Sequence, residues 1–194
     1  MRIGVFGGTF DPIHVGHLVA AVNVRHQLRL DRVLLVVANV PWQKTGARAV
    51  SPAEDRYAMV AAAVEGVAGL EASRVELDRG GPSYTADTLA ELATRHPGAE
   101  LFCMVGADVA GLLDTWERID DVRDRCTLVV VNRPGSRFGG DLAGWQVAEV
   151  EIPALDISST DLRARAGDGR PLDFLVPPAA VRCIHERALY ARTP

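Results

Sequence analysis

The chain has 194 residues, 48% of them hydrophobic and 24% charged, and a formal net charge of −4. That length suits one domain, 1–194, with a sizeable core, and the weakly acidic balance argues against a general nucleic-acid binder, which carries a basic field. The longest apolar run, VLLVVANV at 33–40, is far below the roughly 20 residues that cross a bilayer; with Gly7 and Gly8 interrupting any apolar leader, the expectation is a cytoplasmic protein with no membrane or nucleic-acid partner.

RIGVF (2–6) opens the chain as a short, continuous apolar strand. A helix is predicted over 15–28, and RVLLVV (32–37) is the second strand. SPAEDRYAMVAAAV starts a helix in which Ser51 caps, Pro52 takes the first helical position and Glu54 completes a capping box. SRVELD (73–78) alternates and reads as a weaker strand; TADTLAELATRH reads as a helix that stops before Pro97. ELFCMV (100–105) and CTLVVV (126–131) are again strands, separated by a short helix over 107–113. SSTDLRARA and PPAAVRCIHERALY close the chain as helices, the last one either core or the interface of a homo-oligomer. Strands alternating with helices imply an α/β fold, a Rossmann-like doubly wound parallel sheet, with ligands at the carboxyl ends of its strands. Cys103, Cys126 and Cys183 have no metal-ligand spacing and read as buried free thiols.

The first strand runs into GGTFDPIHVGH, residues 7–17. Gly7 and Gly8 are expected to turn the backbone tightly and let it approach a ligand. His14 and His17, three apart at a helix start, project from one side of its first turn. That helix N-terminus offers free N–H groups and a positive dipole end. Together these features suit a polyphosphate. The spacing is neither G-x-G-x-x-G nor a P-loop, which removes the usual dinucleotide and ATPase routes. Gly106 and Asp108 directly follow another strand; Asp108 either binds a ribose or adenine or caps the next helix. Ser158 and Ser159 are N-cap types with Arg163 one turn on, an anion site or an ordinary capped helix. Trp116 is either a core anchor or a stacking face. Lys44 is the one lysine among 21 basic residues, in the loop VPWQKTGAR. A compact ammonium on a flexible stem suits a phosphate that moves during transfer.

GGTFDPIHVGH resembles the H-x-G-H signature of the nucleotidyltransferase superfamily, and the longer string GGTFDPxHxGH resembles that of the bacterial nicotinate-nucleotide adenylyltransferases. PSYTADTL (82–89), GADVAGLLDTW (106–116), NRPG (132–135), ISSTDLR (157–163) and LVPPAAVRCIHERALY are similar to that family's segments in the same order. The resemblance implies transfer of the adenylyl group of ATP to nicotinate mononucleotide, giving deamido-NAD and pyrophosphate in NAD biosynthesis. It implies that His14, His17, Lys44 and Arg163 are catalytic. It places ATP among Gly7, Gly8, Thr9, Phe10, His17, Gly106, Asp108, Ser158, Ser159 and Arg163. The nicotinate ring would stack on Trp116, its carboxylate would bind at Thr85, and Arg133 would pair with the mononucleotide phosphate. Mg²⁺ would arrive on the polyphosphate, without dedicated protein ligands.

One departure is clear. Family members commonly carry Pro-Pro-His where this chain has Pro41-Trp42-Gln43, and Trp42 could be a lid, a packing residue or a partner contact. His26, His96 and His185 match no motif and read as structural or solvated. Competing readings are an adenylyltransferase preferring nicotinamide mononucleotide or phosphopantetheine, and a catalytically silent nucleotide-binding module.

Overall fold

The computed structural model describes residues 1–41, 50–133, 135 and 138–191. Strands β1 (Arg2–Gly8), β2 (Arg32–Val37), β3 (Leu70–Ser73), β4 (Glu100–Gly106), β5 (Thr127–Asn132) and β6 (Val147–Glu151) form one sheet. Their order is β3-β2-β1-β4-β5-β6, and every pairing is parallel. The helices are α1 (Val15–Gln27), α2 (Ala53–Val64), α3 (Val75–Arg79), α4 (Thr85–Arg95), α5 (Ala107–Ala110), α6 (Ile119–Arg125), α7 (Ser159–Asp168) and α8 (Pro178–Glu186), with a 3₁₀ turn at Leu113–Thr115.

Both faces of the sheet are covered, which is why its central strands are apolar without alternation. Val33, Leu35, Met104 and Val129 face one core, against Val24 of α1, Met59 of α2, Leu162 of α7 and Ile184 of α8. Leu34, Val36, Val105 and Val130 face the other, against Leu89 of α4 and Val122 of α6. The C-terminal helix is therefore core, packed along α2.

The register creates an opening. β1 pairs with β4 only from Arg2↔Glu100 to Val5↔Cys103. Past that point β1 stays with β2 as far as Gly8↔Val37, and β4 stays with β5 as far as Gly106↔Val131. The two central strands part at the place where strand order reverses, where such sheets bind ligands.

Several expectations need correction. Gly7 and Gly8 continue β1 and do not make its turn. The left-handed residue at the strand exit is Phe10, at φ 48°. The strand expected over 73–78 lies earlier, at Leu70–Ser73, and Val75–Arg79 is helical. Val75 and Glu76 are both buried there, adjacent in sequence, as a helical turn allows and a half-exposed strand does not. β6 was not anticipated: it is an edge strand whose sequence VAEVE buries only Val150. The capping box at Ser51 does not form. Pro52 is the N-cap of α2, without a side-chain cap, and Glu54 pairs with Arg74 at 2.9 Å. Cys103 and Cys126 are buried, but Cys183 is only half-buried. Among the described residues no helix is long and apolar enough to cross a membrane.

Candidate active site

The loop between β1 and α1 is shaped by aromatic packing. Gly7 faces open space, whereas a Cβ on Gly8 would come 2.8 Å from the Phe10 ring. Gly8 is thus a seat for Phe10, whose ring meets His17 edge-on at 5.0 Å between centroids. His14, the N-cap of α1, stacks on His17 at 3.7 Å and an interplanar angle of 29°. The backbone N–H of His14 donates to Nδ1 of His17 at 3.2 Å. That bond needs an unprotonated Nδ1, so the neutral His17 ring carries its proton on Nε2. Burial, reinforced by the charge of Arg133, lowers His14 from 6.5 to about 4, which leaves it neutral at pH 7. Its Nδ1 is buried with no hydrogen-bond partner among the described residues.

Gly16 explains the third letter of the H-x-G-H string. A Cβ there would lie 3.0 Å from Nδ1 of His14, tight enough that the imidazole would have to shift by a few tenths of an ångström. The expected free amides of α1 are partly used: Val15 N–H donates to the Leu175 carbonyl and His17 N–H to the His14 carbonyl, each at 3.0 Å. No acidic residue occupies the first turn of α1, so its positive end is uncompensated.

The second motif is fastened to this loop. Ser158 caps α7 by accepting from Asp161 N–H at 3.2 Å. Ser159 is the first helical residue, and its hydroxyl donates to the Pro12 carbonyl at 3.0 Å. Arg163 donates to the Asp11 carbonyl at 2.7 Å and to Thr160 Oγ1 at 3.1 Å. Below the loop Asp11 is buried and accepts from the Tyr190 hydroxyl at 2.7 Å. Burial, then the Asp11 charge, pushes the Tyr190 phenol well up, so it stays the donor. Arg56, also buried, donates to the carbonyls of Ser51, Thr9 and Asn39 at 2.8, 2.9 and 3.1 Å.

A cavity of about 290 Å³ fills the space where β1 and β4 part. Phe6, Gly7, Gly8 and Thr9 line one side and Met104, Val105 and Gly106 the other. A Cβ on Gly106 would sit 2.5 Å from Oδ1 of Asp108, so a side chain there would turn the Asp108 carboxylate aside. Gly106, not Asp108, is the N-cap of α5, and no side chain caps that helix. The cavity runs on to Pro41, Ser83, Tyr84, Thr85, Thr88 and Trp116. Thr85 begins α4, whose N-cap Tyr84 supplies no side-chain bond. Nε1 of Trp116 is buried with no partner among the described residues.

The geometry thus brings His14, His17, Ser159 and Arg163 to one loop, and Gly7, Gly8, Gly106, Thr85 and Trp116 to one cavity. Arg133 is exposed just past β5, close enough for its charge to act on His14. Lys44, with Trp42 and the rest of 42–49, lies outside the described residues. His26 and His185 are exposed and His96 half-buried, away from the cavity.

Residues 5–165 match the cytidylyltransferase-like family. A probable nicotinate-nucleotide adenylyltransferase of Saccharopolyspora erythraea is 48% identical over 190 residues, 97% of this chain and 89% of that protein. One of the same description from Streptomyces coelicolor is 47% identical, across 95% of this chain and 98% of its own length. The chain belongs to the nicotinate-nucleotide adenylyltransferases of the cytidylyltransferase-like family. The nicotinic acid mononucleotide adenylyltransferase of Plasmodium falciparum, solved with NaAD, shares the fold at a TM-score of 0.79 and 18% identity, over 97% of both chains.

For an adenylyltransferase of this family, three positions stand out that the sequence reading passed over. Gly16 shapes the histidine pair, and its signal was its place inside H-x-G-H. Arg56 ties the site together, and its signal was an arginine on the apolar face of α2. Glu76 lines the cavity and is buried. Its signal was a charge between Val75 and Leu77, masked once that segment was read as a strand.

Proposed function

We infer that this protein transfers the adenylyl group of MgATP to nicotinate mononucleotide, releasing pyrophosphate and deamido-NAD. The observation that carries this reading is the continuous cavity from the parted strands β1 and β4 to Thr85 and Trp116, with the stacked His14–His17 pair at the β1 exit. The mononucleotide phosphate is already ionised and attacks the α-phosphorus in line, so the protein's tasks are positioning and charge neutralisation. His17 offers Nε2–H to the polyphosphate, His14 stands beside it, and Arg163 and Lys44 add cationic charge. Gly7 to Phe10, Gly106, Asp108, Ser158 and Ser159 surround ATP. Asp11 is engaged with Tyr190, which fits magnesium entering with the substrate's phosphates.

The N-terminus of α4, without a side-chain cap, and the Trp116 N–H, without a partner among the described residues, border the far end of the cavity. Both are donors, so they suit a carboxylate, which only accepts, better than an amide, which brings donors of its own. The aromatic face of Trp116 suits a cationic pyridinium, and Arg133 pairs with the mononucleotide phosphate.

The test supplies ATP and Mg²⁺ with nicotinate or nicotinamide mononucleotide and measures pyrophosphate. Faster turnover of the acid is expected, and equal rates would refute the preference. In the same assay His17→Ala should retain ATP binding and lose about 100-fold or more in turnover. Unchanged turnover would remove His17 from the mechanism.

A further inference from the structure

We propose that Glu76 is the positioning residue for the nicotinate end of the cavity, the buried anchor to which its α4 wall is tied. This rests on the nicotinate reading above and adds to it a residue that touches no reacting atom.

One wall is α4. The Thr88 hydroxyl lies 2.6 Å from Oε1 of Glu76 and receives a hydrogen bond from Arg79 at 3.1 Å. Arg79 is itself paired with Glu91 at 3.1 Å. A hydroxyl has one proton, and with Arg79 donating to its oxygen that proton is directed to Glu76. The Tyr84 carbonyl, 3.3 Å from the same hydroxyl, accepts instead from the Thr88 backbone N–H at 3.2 Å. Glu76 therefore sets the azimuth of the first turn of α4, which begins with Thr85.

The other wall is the exit of β2. Asn39 N–H donates to Ser83 Oγ at 2.8 Å, and Ser83 N–H donates to the Val40 carbonyl at 3.0 Å. Ser83 thus ties the exit of β2 to the segment that leads into α4. Burial pushes the Glu76 carboxyl upward, and hydrogen bonds from the Ser83 and Thr88 hydroxyls, the Arg79 charge and the Asn39 backbone N–H only partly offset it. A carboxylate can accept from several donors at once; an amide keeps one acceptor atom and turns two N–H groups on the rest.

The experiment measures initial rates for the parent, Glu76→Gln, Glu76→Ala and Thr88→Val, varying each substrate with the other saturating. Glu76→Ala should raise the KM for nicotinate mononucleotide by about tenfold or more, the scale of a lost charge-assisted hydrogen bond, and leave the KM for ATP within about twofold. Glu76→Gln should recover part of that loss. Thr88→Val should raise the same KM, and the Glu76→Ala/Thr88→Val pair should be no worse than the worse single variant. Equal rises in both KM values, or an unchanged mononucleotide KM in a folded variant, overturn the proposal. If the Glu76 variants do not fold, Thr88→Val decides by the same criteria. A parent with no turnover of nicotinate mononucleotide overturns the functional reading and this one with it; an active parent with unselective variants overturns this one alone.

Discussion

His14 is a neutral imidazole kept in place by Gly16 below it and His17 beside it, and its depressed pKa has a thermodynamic consequence. Between about pH 4 and 6.5 the unfolded chain binds a proton that the folded protein refuses. Stability therefore falls as pH drops through that window, by about 3 kcal/mol at ~1.36 kcal/mol per unit. His14→Gln should abolish that share of the pH dependence, measured by urea unfolding at pH 7 and again near the lower limit. An identical pH slope in the variant would contradict the burial of this ring. At this scale the juxtaposition of His14 and His17 was legible in sequence, because their spacing carries it. The reason for Gly16 was not legible, since it depends on where a ring two residues away comes to rest. Gly8 was misread for the same cause: its missing Cβ makes room for Phe10, while Phe10 itself takes the strained turn.

Among elements, α2 and α7 both hold the loop between β1 and α1. α7 does so through Ser159 and Arg163, which bond the carbonyls of Pro12 and Asp11. α2 does so through Arg56, which reaches carbonyls on three separate segments, including both Asn39 and Ser51. Arg56→Met would strand those part-buried acceptors at up to about 1–3 kcal/mol for each left unsatisfied. A loss of roughly 3 kcal/mol or more in denaturant titration is expected, and a loss below about 1 kcal/mol would show that water replaces the guanidinium. The misread start of α2 follows from this network. Ser51 has the residue type of a cap, but its carbonyl is occupied by Arg56 and its amide lies 3.5 Å from Oδ2 of Asp11. Local propensity placed the helix correctly and its cap wrongly, because the competing partners are distant in sequence.

Across the whole molecule the doubly wound sheet was readable because four of its strands are continuous apolar runs, a pattern that only a sheet covered on both faces demands. Its edges were not. LEAS and VAEVE each bury little, and their pairing comes from the neighbouring strand more than from their own composition. The same topology turns two glycine-bearing strand ends toward one crevice, so segments some hundred residues apart in sequence become one site.

That crevice is walled in part by peptide groups, and peptide groups are identical in every residue. Alternate amides beyond Val5 and Cys103 face no neighbouring strand, so contacts made there survive any change of side chain and are invisible to mutagenesis. Isotope labelling can see them. With nucleotide bound, hydrogen–deuterium exchange should slow at 6–8 and 104–106, while 2–4 and 100–102, already bonded strand to strand, should hardly change. Uniform slowing along both strands would mean that the ligand tightens the sheet as a whole and does not dock in the gap.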